Sequence, residues 1–340
     1  MASEITSNTF LTTAGSPSDQ KTTIFFISGN PGLIGYYYPF LSILSKYLDE
    51  KEENSPILPS FQIYGSSLSG FEIDEHQPSP SPNNGVDLDL EGQIRFVREK
   101  LAALMGDESN GNRDGKATVD AGARQKVILI GHSVGAYIAM EILRRHREAS
   151  PESTFDIVGG AMLFPTVKDI AASPSGQKLT TLLLIIPHLA VVVSLFARLL
   201  TFLLPTSLLR YVVRLVMNDP PAHALDATCA FLKSRSGVRQ ALHMAADEMR
   251  TITSDKWSDD VWGAASAREP IVKLFFYFGR NDHWVADQTR DDIVAVRGRK
   301  GGQAGPTMVV CEEGLPHAFC LKHSDVMARK VAGMIWQIVA

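Results

Sequence analysis

Residues 126–137 read KVILIGHSVGAY, from Lys126 to Tyr137. Val127, Ile128, Leu129 and Ile130 form a short apolar run with the character of a buried strand. Gly131-His132-Ser133-Val134-Gly135 follows, and Ala136 to Leu143 continues with a helical pattern. Strand, G-x-S-x-G, helix is the setting of a nucleophile elbow, a sharp turn that holds a serine exposed at the carboxyl end of a strand. Gly131 and Gly135 lack the Cβ atoms that would clash where strand and helix close on each other, and the serine backbone between them is strained. The motif alone is weak, because small residues are common in turns; the flanking strand and helix give it weight. The plain alternative is a strand-to-helix turn with a solvated serine.

Outward from the elbow, apolar runs alternate with helical patterns, which predicts an α/β fold with a mostly parallel central sheet and helices on both faces. Strands are expected at Thr22–Ser28, Phe61–Ser66, Lys126–Ser133, Ile157–Phe164, Ile271–Phe278 and Thr307–Cys311. Helices are expected at Tyr37–Leu48, Asp89–Leu104, Val134–Arg147, Ala286–Val296 and His323–Val339. Glu75–Val86, Gly106–Ala123 and Arg297–Gly305 are polar and read as surface loops. Between Phe164 and Ile271 no convincing strand occurs. The expected organisation is a core over residues 1–172, an all-helical lid over 173–268, and the rest of the core over 269–340.

The expected lid contains Leu179–Met217, LTTLLLIIPHLAVVVSLFARLLTFLLPTSLLRYVVRLVM, far more apolar than a surface helix. Leu179–Leu204 is long enough to cross a bilayer, but Pro187, His188, Arg198 and Pro205 interrupt it. Two short apolar helices broken near Pro187 or Pro205 would suit insertion into a lipid interface. A lid buried against the core, or lining an apolar pocket, and a true span are the alternatives. Arg198, Arg210 and Arg214 could snorkel to a polar surface.

A serine hydroxyl needs a base to take its proton and an acid to orient that base. After such an elbow the order along the chain is serine, acid, histidine. Asp282 lies in the turn after the strand ending at Phe278 and is the expected acid. Asp287, at the start of the next helix, and Asp169, after a different strand, compete with it; the bland role for Asp282 is a turn or helix cap. His317 follows the last strand and is the expected base, with His323 its competitor. His132 and His283 adjoin these positions and should point elsewhere. The oxyanion hole needs two N–H groups. Val134 N–H is one candidate. Asn30 N–H, in the turn Gly29-Asn30-Pro31-Gly32, is the other, with Gly32 in reserve; Pro31 has no N–H to give. That turn also reads simply as a tight surface turn.

Composition narrows the classes. At 340 residues with 45% hydrophobic content, the chain can build one large domain or two small ones, and its net charge of −4 leaves no basic footprint for nucleic acid. Cys229, Cys311 and Cys320 make no disulfide framework, which suits a reducing compartment. No C-x-x-C or H-E-x-x-H occurs, so no metal site is expected, and acyl transfer through a serine needs no cofactor. The N-terminal residues lack the basic and apolar regions of a signal peptide.

Taken together, the elbow, the Asp282 and His317 loops and the Gly29–Gly32 turn resemble the α/β-hydrolase superfamily. Within it the chain is similar to the lipid droplet-associated hydrolase family. The likeness is carried by Gly29-Asn30-Pro31-Gly32 with Tyr36-Tyr37 and Phe40, Gly92-Gln93-Ile94, Gly131 to Tyr137, Leu163-Phe164-Pro165-Thr166, Ser173-Pro174-Ser175-Gly176, and Gly279 to Trp284. One departure is the loop Gly65–Phe71, which lacks the histidines associated with this family. The resemblance implies a serine hydrolase acting on sterol esters or other neutral-lipid esters, attached by its apolar lid to lipid droplets or the cytosolic side of the endoplasmic reticulum. In that reading Ser133 attacks the carbonyl, His317 moves the proton, Asp282 fixes the imidazole, and Asn30 and Val134 steady the oxyanion. A soluble esterase or thioesterase in the cytosol, and a droplet-coating protein with little turnover, are the rival readings.

Overall fold

The computed structural model describes residues 2–13, 21–53, 59–73, 87–111, 124–149, 153–264, 271–299 and 304–340. The first half of the chain forms β1 (Ala2–Ile5), β2 (Thr9–Thr13), β3 (Lys21–Ile27), α1 (Tyr38–Glu53), β4 (Ser60–Ser66), α2 (Leu90–Gly111), β5 (Gln125–His132), α3 (Val134–Ala149) and β6 (Phe155–Leu163). Among the described residues five α-helices then intervene before the next strand: α4 (Pro174–Ile185), α5 (Leu189–Leu203), α6 (Thr206–Val216), α7 (Ala222–Lys233) and α8 (Gly237–Thr251). The chain closes with β7 (Lys273–Phe278), α9 (Asp287–Arg297), β8 (Thr307–Val310), the single turn α10 (Phe319–Lys322) and α11 (Ser324–Val339).

All eight strands join one sheet in the order β1-β2-β4-β3-β5-β6-β7-β8. From β4 to β8 every pair is parallel; β1 and β2 add an antiparallel edge. The six strands expected from the sequence all form. The N-terminal pair is additional, and it was not foreseen because ASEI and TFLTT are short and largely polar, with their apolar content spent only where Phe10 meets the core. The expected loop from Gly106 also needs correction, since α2 runs on to Gly111. Residues 75–86, 112–123 and 300–303 of the expected loops lie outside the described residues.

Strands buried on both faces read as continuous apolar runs. In β5, Val127 and Leu129 face one core with α2 and α3, while Ile128 and Ile130 face a second core with α1 and α11. Because β4, β3, β5, β6, β7 and β8 run parallel, the loops that follow them emerge together at the strands' carboxyl ends. Ser133, Asp282, His317 and Asn30 all lie just beyond such ends.

The apolar stretch breaks where its prolines predict. α4 stops before Pro187, α5 ends one residue before Leu204-Pro205, and α4 and α5 are bent by 93° to each other. Among the described residues no single helix is long and apolar enough to cross a membrane. α4 begins on a well-formed cap: Ser173 Oγ accepts the Gly176 N–H at 3.0 Å, with Pro174 at the first helical position. Much of this stretch faces outward. Phe202 is 86% exposed, Leu184 and Val216 are each 81% exposed, and Phe196 and Leu203 about 60%. Only Leu189, Ser194, Ala197, Leu209 and Val213 are buried in α5 and α6, so the buried-lid expectation fits one narrow face alone. Arg210 and Arg214 are ion-paired with Asp226 and Asp219.

Candidate active site

The elbow forms as its glycines require. Ser133 has φ +56°, in the left-handed region that costs a non-glycine residue free energy, and such strain clusters at functional sites. A Cβ on Gly131 would sit 2.4 Å from the Gly135 carbonyl oxygen, and one on Gly135 would sit 2.3 Å from that of Ile27. Either would push α3 off the sheet. Ser133 N–H donates to the Leu163 carbonyl at 2.9 Å, which fixes the turn to β6.

The three residues expected to act together do meet. His317 Nδ1 lies 2.8 and 2.7 Å from the two carboxylate oxygens of Asp282, and His317 Nε2 lies 2.9 Å from Ser133 Oγ. A carboxylate can only accept, so Nδ1 carries the proton and Nε2 is left to accept from the serine hydroxyl. Asp282 is held in turn by the Trp284 N–H, which donates to Oδ1 at 2.8 Å, and its side chain is 1% exposed. A shielded carboxylate, an oriented imidazole and a hydroxyl in line can activate an oxygen nucleophile. The competitors stand elsewhere: Asp287 opens α9 and pairs with Arg290, and His323 flanks the start of α11. Asp169 precedes a short turn in the left-handed region.

His132, expected to point away from the site, has structural work there. It is buried, and burial holds its imidazole well below the usual histidine range, with the nearby His317 ring acting in the same direction. Burial likewise pushes the Tyr37 phenol well above its usual value. Both are therefore neutral, and one hydrogen-bond direction satisfies all contacts. Gly29 N–H donates to the Tyr37 oxygen at 3.2 Å, Tyr37 O–H donates to His132 Nδ1 at 2.7 Å, and His132 Nε2–H donates to the His317 carbonyl at 2.9 Å. This chain links the Gly29–Gly32 turn to the backbone of His317. Phe164 and Phe319 close around the His132 ring edge-on. The available signal was the position of His132 itself, one residue before the serine at a strand end that must be buried.

A cavity of about 370 Å³ opens over Ser133 and His317. Asn30, Pro31 and Tyr36 line one side, and Ile170, Leu179, Leu242, Ala245, Trp284 and Leu321 supply mostly apolar walls. Neither Asn30 N–H nor Val134 N–H has a protein acceptor among the described residues. Glu248, from α8, places a carboxyl in this mostly apolar lining. It is 4% exposed, and its Oε1 accepts from Asn30 Nδ2 at 2.9 Å. Burial pushes its carboxyl from 4.5 up to about 8, opposed by the Asn30 hydrogen bond and reinforced by Asp247. Among the described residues no group of His, Cys, Asp and Glu side chains is arranged to hold a metal ion.

The raised Glu248 value has a defined consequence. The group is protonated in the fold at pH values where it has ionised in the unfolded chain. Its contribution is therefore fully present below 4.5 and is lost as pH rises toward about 8. The melting temperature of Glu248→Gln relative to the parent should climb across that window and level off above it. A difference that is flat with pH would show that Glu248 does not titrate this way.

A mostly parallel sheet wrapped by helices, with a serine elbow and its partners at the strand ends, defines the α/β-hydrolase fold. Solved structures agree. The peroxisomal alpha-beta-hydrolase Lpx1 from Saccharomyces cerevisiae superposes with TM-score 0.60 at 11% identity, covering 97% of this chain and 81% of that one. The 2-hydroxy-6-oxo-6-phenylhexa-2,4-dienoate hydrolase from Rhodococcus sp. strain RHA1 gives 0.53 at 15% identity, covering 98% and 100%. The sequence profile described as lipid-droplet associated hydrolase matches residues 20–320, and the chain belongs to that family. Relatives called lipid droplet-associated hydrolase include those of Mus musculus, 27% identical over 94% of this chain and 86% of theirs, and Gallus gallus, 26% identical over 92% and 83%.

Proposed function

We propose that the protein is a serine hydrolase of lipid carboxylic esters, working at a lipid-droplet or endoplasmic reticulum surface on the cytosolic side. The observation that carries this reading is His317 lying between Ser133 Oγ and the Asp282 carboxylate. Ser133 attacks the ester carbonyl while His317 Nε2 takes its proton. Asn30 and Val134 N–H groups receive the developing oxyanion, and His317 returns the proton to the leaving alcohol. Water, activated by the same imidazole, releases the acyl group. None of these steps requires a cofactor. Residues 173–268, of which 265–268 lie outside the described residues, act as a lid over the cavity, to which α4 contributes Leu179.

The lipid ester and the lipid surface are supported by the apolar cavity walls, by the exposed apolar residues of α4 to α6, and by the names of the relatives. A soluble esterase would leave that apolar surface in water, where large patches are disfavoured. The test is flotation of the full chain with phospholipid-coated triolein emulsion, followed by hydrolysis of an ester panel by the floating fraction. Phe196→Glu with Phe202→Glu should leave folding intact and weaken partitioning by about 10²-fold or more, since each buried phenylalanine contributes roughly 1.5–3 kcal/mol. Wild-type protein that stays in the aqueous fraction would overturn the surface assignment.

A further inference from the structure

We propose that Glu248 is a positioning residue for the turn that presents the Asn30 N–H, an inference that rests on the serine-hydrolase reading above. The Asn30 side chain has two N–H bonds to satisfy inside an apolar cavity. Its Nδ2 donates to the Ala241 carbonyl at 2.9 Å and to Glu248 Oε1 at 2.9 Å. Both acceptors belong to α8, one nearly two turns beyond the other on the same face.

That helix is itself fastened to the core, so it can act as a fixed reference. Gln240 accepts from Leu88 N–H at 2.8 Å and donates to the Leu88 carbonyl at 2.7 Å, and Asp247 accepts from Leu90 N–H at 2.9 Å. Holding the Asn30 amide against α8 holds its Cα and limits rotation of the 29–30 peptide, whose N–H is the proposed oxyanion donor. On the other side, Gly29 N–H is held by Tyr37. The donor is thus pinned from both flanks before substrate arrives, which is what electrostatic stabilisation of a transition state needs. A neutral carboxyl suits this position, because its carbonyl oxygen accepts from Asn30 without placing a charge beside the developing oxyanion. Its place in the apolar lining is then explained without any contact to substrate.

The experiment measures kcat and KM with p-nitrophenyl butyrate for the full chain. Glu248→Ala should lower kcat by about 10²-fold with KM within about threefold, the pattern of an interaction that matters in the transition state. Glu248→Gln, which keeps the accepting oxygen, should recover most of kcat. Asn30→Ala should match Glu248→Ala, and the double variant should be no worse than either, because the two act as one unit. If Glu248→Ala does not melt cooperatively, Asn30→Ala and Glu248→Gln still decide the matter. Wild-type kcat in Glu248→Ala, a raised KM with kcat unchanged, or Glu248→Gln as poor as Glu248→Ala would each overturn the proposal. A parent protein that neither hydrolyses the ester nor reacts with a fluorophosphonate would instead sink the serine-hydrolase reading on which it rests.

Discussion

Ser133→Ala is expected to abolish ester hydrolysis and fluorophosphonate labelling together, with turnover reduced by about 10⁶-fold. Among the described residues Ser133 Oγ is the hydroxyl within hydrogen-bond reach of His317 Nε2, and its removal leaves the imidazole without that partner. The fold should survive, because Ser133 is held through its backbone, by its N–H to Leu163 and its carbonyl to Ala136 N–H. Ser133→Gly sharpens the test. The residue sits at φ +56°, where glycine relieves a cost of about 1–2 kcal/mol. Ser133→Gly should therefore be as inactive as Ser133→Ala yet melt higher by about 2 °C. Stability gained on removing a functional side chain is the mark of a strained active site. Labelling of Ser133→Ala at wild-type intensity would remove Ser133 from the role.

What could be read from the sequence and what could not divide along physical lines. The elbow was legible because its chemistry is local: the approach of α3 to β5 forbids a Cβ at Gly131 and Gly135, and five residues record that. Asp282 and His317 were legible as positions, since chain order and strand ends place them, although their meeting is tertiary. The β1–β2 hairpin was not, because β2 is specified by pairing with β4 and β1 by pairing with β2, rather than by their own periodicity. Glu248 was also missed. Within α8 it looks like one more acidic residue beside Asp247, and only the shared face with Ala241 and Ala245 hints that it points inward. His132 and Tyr37 were placed only as neighbours of the elbow and of a helix start, because their relay to the His317 carbonyl depends on loops that meet across the sheet end. The two breaks at Pro187 and Pro205 were foreseen because proline in a helix interior removes a backbone donor and clashes with the preceding turn.

His317→Ala and Asp282→Asn should each lower turnover by at least about 10³-fold with near-native melting temperatures, and they should do so for different reasons. His317→Ala deletes the base but leaves the 317 carbonyl, so His132 Nε2–H keeps its acceptor and the loop keeps its place. Asp282→Asn retains an oxygen for the Trp284 N–H while turning a donor toward His317 Nδ1. Two donors cannot face each other, so the imidazole must shift its proton to Nε2, where it can no longer accept from Ser133. The two variants therefore separate in the pattern of nitrogen protonation: ¹⁵N spectra of labelled histidine should show the His317 proton on Nδ1 in the parent and on Nε2 in Asp282→Asn. Asp287→Asn and His323→Ala should leave turnover within about threefold, since Asp287 is 63% exposed and paired with Arg290 at the start of α9 and His323 lies at the start of α11, away from the serine. Should either of these prove the damaging change, the acid or the base has been assigned to the wrong residue. Should Asp282→Asn lose turnover with its proton still on Nδ1, Asp282 works by charge alone and the tautomer argument falls.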